Sequence, residues 1–84
     1  MAKTIKYADG FKLTVDNEIF EFRDSDGNKT VGERWNECMD MINIPEDNDL
    51  RADLFRNLFA FGELDLSRAF EGHYVCIRFI PVGA

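Results

Sequence analysis

The chain is 84 residues long, 45% hydrophobic, with eight phenylalanines and a formal net charge of −6. That length holds a single domain, expected over residues 1–84, and the apolar content is too high for a disordered chain. The acidity argues against direct contact with nucleic acid or an anionic membrane, because phosphate contact needs a positive footprint.

In chain order, residues 4–8 alternate, with Ile5 and Tyr7 on one face. Asp9-Gly10 is a hairpin signal. Residues 11–16 place Phe11, Leu13 and Val15 inward and Lys12, Thr14 and Asp16 outward. Asp16-Asn17 is a second turn, and residues 18–23 put Phe20 and Phe22 on the core face. Together these predict a three-stranded antiparallel meander.

A polar turn at residues 24–28 leads into a helix. Thr30 as N-cap and Glu33 three positions on match a capping box. Val31, Trp35, Cys38, Met39 and Ile42 form its apolar stripe, with Glu33, Glu37 and Asp40 opposite. Ile44-Pro45 ends it, because a residue before proline disfavours the α region. After an acidic loop at residues 46–49 comes a second helix, closed by Gly62. Its Leu50, Leu54, Phe55, Leu58, Phe59 and Phe61 cover about half the circumference, enough for two neighbours. Arg51 falls within that arc, in the first turn, where its head is expected to reach water.

Residues 64–70 read as a short third helix with Asp65 as a cap and Gly72 beyond it. The last element, residues 73–80, is β-branched and aromatic on both faces and stops at Pro81. Such a strand is usually interior to a sheet or covered on both sides. The outer face of the sheet is expected to show Lys6, Lys12, Thr14, Glu21 and Arg23, and near the last strand Tyr74, Cys76 and Ile80. The order β-β-β-α-α-(α)-β predicts a two-layer α+β fold. Its antiparallel β-sheet joins the N-terminal meander to the C-terminal strand, with two or three helices on one face.

No apolar run approaches the roughly 20 residues of a membrane span. The first residues lack the apolar region of a secretory signal. Cys38 and Cys76 sit inside apolar patterns and read as reduced core thiols. These features predict a cytoplasmic protein.

Chemical motifs are few. Asp24, Asp26 and Asn28 resemble the start of an EF-hand loop, but Lys29 replaces its glycine and Trp35 its closing glutamate, and a strand pattern precedes it. His73 and Cys76 are three apart, which in a strand sends them to opposite faces and rules out one shared metal. There is no glycine-rich phosphate loop. The expectation is no metal, no cofactor and no catalytic residue.

The charge is uneven. Residues 24–53 hold nine acids and three bases, so the whole excess of −6 lies there. This predicts a non-enzymatic protein-binding domain that docks on a basic protein surface through Asp24, Asp26, Glu33, Glu37, Asp40, Glu46, Asp47 and Asp49. Carboxylates in a row can stand in for phosphates and occupy a basic groove. Small acidic inhibitors of nucleic-acid enzymes, such as phages make, have this profile, an analogy of composition only. The alternative is a structural or assembly role, a homo-oligomer included, through an apolar patch at Phe55 and Phe59 or at Tyr74 and Ile80. A weak metal binder or an enzyme ranks third.

Overall fold

The computed structural model describes residues 10–23, 27 and 29–80. Four strands, β1 (Gly10–Val15), β2 (Glu18–Arg23), β3 (Glu63–Asp65) and β4 (Val75–Phe79), form one sheet in the order β2-β1-β4-β3. All pairings are antiparallel. Helices α1 (Val31–Met41) and α2 (Asn48–Phe61) pack on one face of it, so the fold is two-layer α+β.

The alternation in β1 and β2 holds. Phe11 pairs with Phe22 and Leu13 with Phe20, and all four meet the core or its edge. Gly10 opens β1 at φ 126°, and a Cβ there would lie 2.1 Å from the Phe22 carbonyl oxygen. Only glycine lets the two strands approach so closely. The strand expected over 4–8 lies outside the described residues. The neighbour on the other side of β1 is β4, whose Phe79, Ile77 and Val75 continue the rows of Phe11, Leu13 and Val15. The interior place expected for the last strand is therefore its actual one.

Helix α1 begins with the capping box: Glu33 N–H donates to Thr30 Oγ1, and Thr30 N–H to Glu33 Oε1. It ends before Pro45. Asn43, at φ 56°, donates to the Asp40 carbonyl, and Ile44 N–H reaches back to that of Met39. This is a Schellman ending with asparagine in the left-handed position. Asp47 caps α2 by accepting from Asp49 and Leu50 N–H, and Gly62 closes it at φ 75°.

The expected third helix is not formed. Glu63–Asp65 pairs with β4 instead, Leu64 opposite Ile77, and a single 3-10 turn follows at Ser67–Ala69. The α2 terminus at Gly62 delivers the chain to the open edge of β4, where burying Leu64 beside Ile77 outweighs a marginal one-turn helix. Asp65 still accepts from Ser67 N–H, at that turn rather than at a helix.

The core runs from Phe11, Leu13, Phe22 and Ile77 to Trp35, Cys38, Met39 and Leu58. An aromatic chain crosses it: Trp35 to Phe55 at 5.2 Å, Phe55 to Phe59 at 5.0 Å and Phe59 to Phe79 at 5.0 Å, with Phe11 edge-on to Trp35 and Phe55. On α2 one edge of the broad apolar arc is left uncovered, since Leu50 and Phe61, which share that edge, are exposed. Leu58 is fully buried, so Leu58→Ala is expected to cost about 2–5 kcal/mol, read as a fall in the urea midpoint.

Candidate functional site

The acidic face of α1 is more occupied than its pattern implies. Glu33 is spent on the capping box, and the Thr30 backbone N–H holds its carboxyl below the usual range. Glu37 is half-buried and pairs with Lys29 and, at 3.9 Å, with Arg34. Asp40 pairs at 2.8 Å with Arg51, a residue of α2. The three carboxylates therefore contribute to the fold as well as to the surface. Asp24, Asp26 and Asn28 lie outside the described residues.

Arg51 corrects the expectation of a solvated head. It is only 6% exposed. Its guanidinium makes four hydrogen bonds: Nε to Pro45 O at 3.0 Å, Nη1 to Asn36 Oδ1 at 3.0 Å, and Nη2 to Asp40 Oδ1 at 2.8 Å and Ile44 O at 2.6 Å. Its own carbonyl accepts from Trp35 Nε1 at 2.9 Å. The α1–α2 loop folds its carbonyls back over the side chain, so burial costs no orphaned donor on Nη2. Sequence periodicity counts Arg51 among apolar positions but cannot show that the loop turns toward it.

Around this network lies a polar hollow of about 380 Å³, lined by Asn36, Asp40, Glu46, Asn48 and Arg51. Glu46 and Asp49 are exposed, and neither carboxylate has a hydrogen bond or ion pair among the described residues. The carboxylate of Asp47 is engaged as the cap of α2. Thus Asp40, Glu46, Asp47 and Asn48 gather at one corner, while Glu33 and Glu37 stand farther up α1.

Neither of the two expected apolar patches is fully exposed. Phe55 and Phe59 are half-buried in the aromatic chain, and Ile80 is 2% exposed, its N–H extending the β1–β4 ladder to Gly10 O. Of the four, only Tyr74 is exposed. Cys76, also expected on the outer face, is buried too. Cys38 is buried in the core, and burial pushes its thiol up to about 12, which makes it a poor nucleophile.

Where the β1–β2 turn approaches the C-terminus of α1 lies a feature that periodicity missed. Asp16, in the β1–β2 turn, meets His73 Nδ1 at 2.8 Å and accepts from Tyr74 N–H at 3.0 Å. Hydrogen bonding by His73 first, then by Tyr74, holds the Asp16 carboxyl below its usual range. An aspartate-oriented histidine is two parts of a hydrolytic triad, but no hydroxyl or thiol among the described residues lines the adjoining notch. The nearby Ser67 Oγ is taken up by Val75 N–H. Among the described residues no group of three or more His, Cys, Asp or Glu is placed to hold a metal, and no helix is long and apolar enough to cross a membrane. Comparison of the chain with protein-family models, with curated proteins and with solved structures returned no match.

Arg34 is the other buried arginine, also 6% exposed, yet its Nε and Nη2 have no hydrogen-bond partner among the described residues. A buried guanidinium with open donors is destabilising. Arg34→Met is therefore expected to raise stability by about 1–3 kcal/mol in urea denaturation. A loss instead would mean that the guanidinium is paired in solution. The pH dependence follows from Asp16 and Glu33. Both folded carboxyls lie below their unfolded values, so their stabilisation is complete above about pH 4–5 and is lost as pH falls through the folded pKa. Asp16→Asn is expected to flatten the acid limb of a stability–pH profile.

Proposed function

We propose that this is a non-enzymatic protein-binding domain whose docking surface is the acidic corner between α1 and α2. The observation that carries the reading is the hollow beside Arg51. The one cation among its described lining residues, Arg51, already gives its guanidinium to Asn36, Asp40 and two loop carbonyls, so the exposed Glu46 carboxylate is left uncompensated by it. Such a surface suits lysine or arginine side chains of a basic protein, an inhibitor's target groove included. Asp40, Glu46, Asp47 and Asp49 form its centre, and Glu33 and Glu37 extend it along α1.

A structural role has its own supporting observation. Phe61 is 77% exposed at the end of α2 and Ile19 60% exposed on β2, which favours contact with a second copy or a larger assembly. Salt separates the two readings, since an electrostatic complex weakens with ionic strength and an apolar one does not.

Glu46→Lys/Asp49→Lys tests the first reading, because neither carboxylate has a hydrogen bond or ion pair among the described residues. The double variant is expected to stay folded, losing about 1 kcal/mol because Asp49 leaves the first turn of α2. It is also expected to lose at least about tenfold in affinity for a basic partner captured from the source cell at low salt. Unchanged affinity would reject the corner as the docking surface. Concentration-dependent self-association abolished by Phe61→Ser would favour the structural role.

A further inference from the structure

Where the β1–β2 turn meets the C-terminus of α1, the side chains leave a notch of about 320 Å³. Its floor is apolar: Val15, Phe20, Ile42, Phe70 and Val75. Its rim carries Asp16, Glu18, Asn43 and His73, and among the described residues no lysine or arginine lines it. Helix α1 ends on this rim with no basic residue in its last turn, so the negative end of its dipole is uncompensated there. The Asp16 carboxylate accepts a hydrogen bond from Tyr74 N–H. It lies 2.8 Å from His73 Nδ1, which therefore carries the proton, and in the neutral ring Nε2 keeps a lone pair. The notch shares no residue with the acidic hollow at the other corner.

We propose that this notch binds a small organic cation, an aryl- or alkylammonium. Its apolar body fills the floor, and its ammonium group lies among Asp16, Glu18 and the end of α1. Size sets the body. An engineered apolar cavity of about 150 Å³ takes benzene, so about twice that volume suits a bicyclic amine of roughly ten to twelve heavy atoms. Phe20 and Phe70 add aromatic surface of the kind that attracts cations. An anion of the same shape meets Asp16, Glu18 and the negative helix end, and a neutral analogue gains the floor alone.

The test uses three probes with one ring system: tryptamine, 3-methylindole and indole-3-acetate, each titrated into the ¹⁵N-labelled full chain. Tryptamine is expected to give saturable amide shifts at Val15, Asn43, His73 and Val75, with Kd about millimolar or tighter. Indole-3-acetate is expected to bind at least about tenfold more weakly, with 3-methylindole between. Asp16→Asn keeps a residue that tolerates the left-handed turn and is expected to weaken tryptamine about five- to tenfold while leaving 3-methylindole unchanged. Should that variant disturb the turn, Glu18→Gln serves, since the Glu18 side chain has no hydrogen bond or ion pair among the described residues; its expected loss is about two- to fivefold. The proposal is overturned by no saturable shift with tryptamine up to about 10 mM, by shifts centred elsewhere, by equal binding of the acid, or by folded variants that bind tryptamine like the parent.

Discussion

The fold depends on how one guanidinium is taken out of water. A buried arginine in so small a domain is tolerated only if its donors find partners, because each orphaned donor is costly to desolvate. Arg51, carried by α2, recruits partners from two places: Asn36 and Asp40 on α1, and the Ile44 and Pro45 carbonyls in the loop. This fixes the first turn of α2 against the last two turns of α1. The Trp35–Arg51 hydrogen bond then sets the indole against Phe11 and Phe55, and the aromatic chain carries that placement to Phe59 and Phe79. Arg34 shows the other outcome of the same burial, a cation enclosed without partners on Nε and Nη2 among the described residues.

Local signals in the chain were legible where one residue type has one physical use. The Thr30–Glu33 capping box, the left-handed Gly62 and the alternation in β1 and β2 all appear as expected. The doubly apolar last strand was readable as interior, and it lies between β1 and β3. Tertiary choices were not legible. Residues 63–65 carry a weak pattern, and the open edge of β4 decided between helix and strand. Arg51 looked like a surface residue because a loop carbonyl has no side-chain signature. The pairing of Asp16 with His73 joins residues 57 apart in sequence, and no periodicity reports it.

The same limit applies to function. Counting charges located the acidic excess correctly in the chain but treated all its carboxylates as equivalent. The structure separates those that hold the fold, Glu33, Glu37, Asp40 and Asp47, from Glu46 and Asp49, which have no structural bond among the described residues. The proposed docking corner therefore lies next to the network that positions both helices. The apolar notch borders the same end of α1 on the side of the β1–β2 turn, built from other residues where the hairpin turn and the Schellman ending leave space that the side chains do not fill.

The central claim is that the directed hydrogen bonds of Arg51, and not merely its charge, hold α2 on α1. Arg51→Lys tests it most directly, because lysine keeps the charge and much of the stem but cannot reproduce the planar fork. Measured by urea denaturation, the account predicts a loss of about 2–4 kcal/mol, with several donors and acceptors of the network left unpaired. A variant within about 0.5 kcal/mol of the parent would contradict it.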